Sequence, residues 1–367
     1  MRIPGSYEDL IEQARQARSR GQADVAVALY ARVIDRIGSL KQPLDEPLVE
    51  HLVVAADELQ ILLDWLGDHA RARALCERMV ELDPEDADFW LRRAITERIY
   101  EGEVEEGLTA LRELVDQRPQ DPWFPLELAA RLVDLKRWDE ALQALDVAEQ
   151  RVDNSADRAL VLWTRFRALS DQGRIYDAAR AWETARKLDP FFKQGVQHVY
   201  EMFIQAGDYE SALLYLDMED NALLAGYYLG LVAHYQGDSA RAEKIWQRTV
   251  KKPLSEFESG LEAWAMAQLR LGEKELALSF CSSLANQGYT TMWLYVVLGL
   301  VWAVSGGPQQ AKDSLESARR VLRQVHGPYR KLPRLYWREF DELVSDQELK
   351  AEVINYFDVD VQEPTRS

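Results

Sequence analysis

A small residue followed four positions later by a larger apolar one recurs nine times along the chain, as Ala26/Tyr30, Ala72/Cys76, Gly107/Leu111, Ala141/Leu145, Ala178/Trp182, Ala212/Leu216, Ala242/Trp246, Ala277/Cys281 and Ala311/Leu315. Residues four apart share one face of an α-helix. The small member lets a second backbone approach, and the large one fills the space beside it. Five residues before each small member stands a turn position, held by Gly21, Gly67, Gly102, Lys136, Gly173, Gly207, Gly237, Gly272 and Gly306. Glycine accepts the positive φ that ends a helix. Proline closes several units, in Leu82-Asp83-Pro84, Arg118-Pro119, Leu188-Asp189-Pro190 and Lys252-Pro253, because it cannot continue the second helix. The pattern predicts helix, turn, helix and stop, nine times over.

Successive small residues are 46, 35, 34, 37, 34, 30, 35 and 34 positions apart. Over residues 7 to 325 the units resemble tetratricopeptide repeats, whose period is about 34 with small and aromatic residues at fixed places. The copies nearest the pattern are Tyr295 to Ala318, which carries Leu298-Gly299, Trp302, Gly306 and Ala311, and the unit with Leu229-Gly230, Gly237, Ala242 and Trp246. Lys136 in place of the turn glycine and Gly107 in place of alanine depart from it. The resemblance implies an all-α, right-handed superhelical solenoid of about nine helix-turn-helix repeats, closed by a C-terminal capping helix.

Two steps break the period. The 46-residue step predicts an insertion loop near residues 38–47, and the 30-residue step a short helix after Tyr209 with a seam near residues 218–224. The expected division is a lobe of about six repeats over 1–220, a lobe of about three over 221–325, and a basic connector, capping helix and acidic tail over 326–367. Arg319 to Arg338 holds seven basic residues and no acidic one, and Ser345-Asp346-Gln347-Glu348 then opens a last helix. Capping with self-pairing is the expected role of this region. Docking of an anionic partner at Arg330, Lys331, Arg334 and Arg338 is its rival.

The net charge of −18 opposes nucleic-acid binding, which needs a basic face. Cys76 and Cys281 fall on buried stripes, as core thiols of a reducing compartment do. No charge occurs from Leu276 to Ala311, yet the continuous apolar part, Met292 to Val304, is shorter than the roughly 18 residues a membrane span needs. A buried helix is expected there. The opening MRIPGSYEDL lacks an apolar stretch for a signal peptide, which together points to a cytoplasmic protein.

The histidines, His51, His69, His198, His234 and His326, show no metal-ligand spacing, and neither cysteine has a nearby partner in sequence. No phosphate loop is present. No catalytic residue, metal or cofactor is therefore expected. The resemblance implies instead that the first helix of each pair lines a concave groove. On that register the groove carries Arg92 and Thr96, Trp123 and Leu126, Trp163 and Arg167, Gln197 and Glu201, Tyr227 and His234, Met266, and Trp293. Large apolar side chains with scattered charge suit an amphipathic helix or extended peptide of a protein partner. The four asparagines, Asn154, Asn221, Asn286 and Asn355, lie outside these positions, which argues against a carboxylate clamp for peptide C-termini. The expected function is a non-enzymatic scaffold or adaptor. The alternatives are self-assembly or a fixed subunit of a larger enzyme complex, and a regulator that binds an anionic partner through residues 319–338.

Overall fold

A computed structural model describes residues 6–41, 43–254, 259–287, 291–326 and 334–356 of the chain. Its regular structure among these residues is helical. Nine consecutive pairs run α1 (Tyr7–Ser19) with α2 (Ala23–Gly38), α3 (Glu46–Leu66) with α4 (His69–Leu82), α5 (Ala87–Tyr100) with α6 (Val104–Gln117), α7 (Trp123–Asp134) with α8 (Trp138–Arg151), α9 (Ser155–Asp171) with α10 (Ile175–Leu188), α11 (Val196–Ala206) with α12 (Tyr209–Leu216), α13 (Ala222–Tyr235) with α14 (Ser239–Thr249), α15 (Leu261–Arg270) with α16 (Lys274–Asn286), and α17 (Met292–Val304) with α18 (Pro308–His326). Two further helices follow, α19 (Arg334–Leu343) and α20 (Gln347–Tyr356). The chain divides into two compact units, Met1–Arg151 with Arg323–Pro328, and Val152–Leu322 with Tyr329–Ser367. Each is a helical solenoid of stacked pairs.

The nine sequence anchors lie at the centre of this stacking. The larger member of every couple is at most 4% exposed, from Tyr30 and Cys76 at 0% to Trp246 at 4%. Burying a side chain of that size contributes about 1.5–3 kcal/mol. Gly107 stands where the other second helices have alanine because a Cβ there would collide with the Ile99 side chain on α5. Gly230 is required in the same way, since a Cβ would run into the indole of Trp246, whose Nε1 donates to the Tyr227 carbonyl at 3.1 Å.

The turns follow one design. Gly67, Gly207 and Gly237 adopt left-handed backbone, and the aspartate after each caps the next helix. Asp208 accepts from Ser211 N at 3.1 Å and Asp238 from Arg241 N at 3.0 Å, satisfying amides that a helix start leaves unpaired. Lys136 has φ of 60° and makes the bonds a glycine would make there: its amide donates to the Val133 carbonyl, and Arg137 N to that of Leu132. The fold imposes the left-handed turn on a residue that disfavours it.

The irregular steps have physical outlets. The 46-residue step goes largely into α3, at 21 residues, and the connection after Gly38 is shorter than the insertion loop expected there. The 30-residue step appears as α12, only eight residues long. α17 is a buried apolar helix, and among the described residues no helix is long and apolar enough to cross a membrane. Cys76 and Cys281 are unpaired, and burial pushes both thiols up to about 12.

Candidate interaction surfaces

In the second unit, α19 lies against the first helices of the pairs. Its residues Leu335, Glu339 and Phe340 are buried, a spacing that puts them on one face of the helix. Tyr336 stacks on Trp293 of α17, ring centroids 4.5 Å apart and 19° from parallel. Glu339 receives the hydroxyls of Tyr227 and Tyr235 of α13, each at 2.9 Å, and Arg270 of α15 through Nε at 2.9 Å and Nη2. Glu342 accepts from Arg270 Nη2 at 2.8 Å and sits 3.5 Å from His234 Nε2. Burial and then the Glu339 carboxylate hold the Tyr227 hydroxyl far above its ordinary value, so it stays a proton donor. The buried carboxylate thus has four donors, which compensates the cost of removing it from water.

Several positions read as open groove are consequently covered. Tyr227 is buried under Glu339, and Trp293 is half-buried under Tyr336. Glu201 is buried because it accepts from Tyr228 and, at 2.9 Å, from Gln197. Leu126 and Met266 are also buried, at 8% and 1% exposure, where helical packing turns them inward. Trp163 is half-buried, stacked on Phe166 at 5.1 Å and set against Phe192 and His198. Arg167 is half-buried in the same helix, α9.

Of the basic connector, Arg330 and Lys331 lie outside the described residues, as does the side chain of Arg334. Arg338 is engaged within the unit: its guanidinium lies 3.5 Å from the Tyr235 ring centroid and 3.3 Å from Glu342. Asp346, rather than Ser345, caps α20, accepting from the amides of Glu348 and Leu349 at 3.0 Å. Lys350 Nζ ties α20 back to Asp341 of α19 at 2.7 Å.

In the first unit the first-helix face is polar and carries a cavity of about 250 Å³. Arg92 lies over the rings of Trp123 and Phe124, 5.6 and 5.5 Å from their centroids, and Thr96 Oγ1 donates to Glu127 at 2.7 Å. Arg93 reaches Asp57 at 2.6 Å, while Arg131 pairs with Glu127 at 3.1 Å, with Asp134 at 3.5 Å and with the Tyr100 hydroxyl. Ile61 and Trp65, one turn apart on α3, remain 47% and 46% exposed.

Beside these, three titratable side chains from successive helices converge: Asp64 of α3, His69 at the start of α4, and the buried Glu97 of α5. Burial, followed by the charge of Glu97, pushes the Asp64 carboxyl well above the ordinary carboxylate range. The sequence reading passed over this group because two of its donors are carboxylates in an acidic chain and Glu97 lies one helix pair beyond Asp64. The missed signal for α19 was the apolar stripe Leu335, Tyr336, Phe340 and Leu343, which the count of basic residues obscured.

Residues 65–122 match a family model described as tetratricopeptide repeat, a stretch containing α4, α5 and α6. No curated protein matches the chain. Among solved structures, it is similar to a tetratricopeptide repeat protein from Parabacteroides merdae, at 15% identity over 77% of this chain and 98% of that one, with a TM-score of 0.43. It is also similar to the human IFIT1 dimer with m7Gppp-AAAA, at 15% identity over 89% and 92% of the two chains and a TM-score of 0.34. The APC/C hetero-tetramer Cut9-Hcn1 matches at 14% identity over 91% of this chain and 62% of that one, with a TM-score of 0.38.

Proposed function

We propose that this chain of tetratricopeptide repeats is a non-enzymatic scaffold that holds an amphipathic helix of a protein partner on its first-helix face. The observation that carries the reading is α19 itself. A short helix with one apolar face, an aromatic anchor on Trp293 and a carboxylate received by Tyr227, Tyr235 and Arg270 occupies that face in the second unit. Helix-in-groove recognition uses the same elements, apolar anchors at helical spacing with a few placed polar groups. A preformed stack of helices needs little ordering on binding, so less of the contact energy is offset by lost conformational entropy. In the first unit, exposed Ile61 beside Arg93 and Glu127, with exposed Trp65 one turn further along α3, offers the corresponding apolar and charged contacts to a partner.

A chain ending at residue 326, titrated with a synthetic peptide of residues 334–356, tests the reading. Saturable binding with one peptide per chain, lost in Arg270→Ala, is the expected result. A truncated chain that keeps its helical circular dichroism yet binds no peptide overturns it.

A further inference from the structure

We propose that Asp64, His69 and Glu97 form a binding site for a divalent transition metal ion such as zinc. The proposal stands on how the three donors are held. Gln60 of α3 donates through one amide nitrogen to Asp64 Oδ2 at 2.5 Å and to Glu97 Oε1 at 3.0 Å. Both carboxylates are thereby fixed by their outer oxygens, and Asp64 Oδ1 and Glu97 Oε2 are turned towards His69 Nδ1. Ligand atoms of the three residues lie within 4.8 Å of one another.

Nδ1 is 2.9 Å from Glu97 Oε2 and 4.0 Å from Asp64 Oδ1. The first separation is one that either a single proton or a single metal ion spans. With zinc–nitrogen and zinc–oxygen bonds of about 2.0–2.2 Å, donors around the ion sit roughly 3–3.5 Å apart, so about 1 Å of movement by Asp64 completes the triad. Asp64 Oδ1 is buried and has no hydrogen-bond partner, an independent sign that this oxygen lacks a cationic or donor group. The nearby cations do not supply it, since the Arg93 guanidinium is engaged by Asp57 and that of Arg131 by Glu127 and Asp134.

One imidazole and two carboxylates neutralise a divalent ion, and the nitrogen donor selects a transition metal over magnesium or calcium. The adjoining cavity leaves room for water in the remaining coordination position. Gln60 serves as a positioning residue, orienting ligands through their second oxygens. Binding requires the Nδ1 lone pair, so with the metal in place the imidazole carries its proton on Nε2.

The test is titration of the tag-free full-length chain with cobalt(II), read by visible absorption, and with zinc, read by calorimetry. One equivalent of metal, with cobalt bands displaced by zinc, is expected for the natural chain. Asp64→Asn and His69→Ala should each weaken binding at least about tenfold, and Gln60→Ala by about 10–100-fold. Should His69→Ala lose its helical signal, the near-isosteric Asp64→Asn alone decides. Absence of stoichiometric binding, or binding unchanged in Asp64→Asn, overturns the proposal.

Discussion

Arg270 and Glu339 form a two-pronged ion pair across 69 residues of sequence, with side chains only 6% and 2% exposed. Removing one partner of such a pair leaves a buried charge uncompensated, at about 3–5 kcal/mol. Arg270→Ala is therefore expected to free α19. Hydrogen exchange of the amides from Leu335 to Leu343 should accelerate by orders of magnitude, while that of α13 rises less. Glu339→Gln, which keeps one acceptor oxygen and leaves Arg270 its bond to Glu342, should produce a smaller change.

Gly230→Ala tests the close approach of α13 and α14. The added methyl meets the Trp246 indole and threatens its hydrogen bond to the Tyr227 carbonyl. A loss of about 1–3 kcal/mol is expected from overpacking, measured as a lower urea midpoint with tryptophan fluorescence as the probe.

Lys136→Gly should act in the opposite direction. A non-glycine residue in left-handed backbone costs about 1–2 kcal/mol, partly offset by the greater freedom glycine has when unfolded. A net gain of about 0.5–1 kcal/mol is expected, read as a higher midpoint with an unchanged denaturant slope.

A pH test is available at the N-terminal pairs. Glu58 of α3 accepts from Arg15 Nε of α1 at 2.7 Å and from the Tyr30 hydroxyl of α2 at 2.5 Å. Burial pushes its carboxyl up, but these bonds together outweigh burial and hold it below its ordinary value. A group depressed in the folded state binds more protons when unfolded. Its contribution is present above the ordinary carboxylate value and lost as pH falls through the folded one. Stability should thus decline more between about pH 5 and pH 3 in the natural chain than in Glu58→Gln, as measured by urea unfolding across that range.

What was legible in the sequence was what recurs at short range. The couples Ala178/Trp182 and Ala242/Trp246, with Gly173 and Gly237 five residues before the alanine, mark contacts within one helix pair, and the structure buries all four anchor residues. The docking of α19 leaves no such trace, since Glu339 meets Tyr227 across 112 residues and no period links them. Knowing the helices therefore did not tell which first-helix residues stay open. Tyr227 and Trp293, expected to line an open groove, are covered by the chain's own helix α19. His69 and Glu97 likewise become neighbours only when α4 packs on α5.

The two cysteines give the chain a pair of built-in clocks. Cys76 belongs to one compact unit and Cys281 to the other, each at the buried anchor of its helix pair with its thiol held protonated. A thiol in that state reacts with an alkylating reagent only when its pair opens. Mass-resolved labelling of the unmodified protein at the two sites would time the opening of each unit separately, in one experiment and without a single substitution.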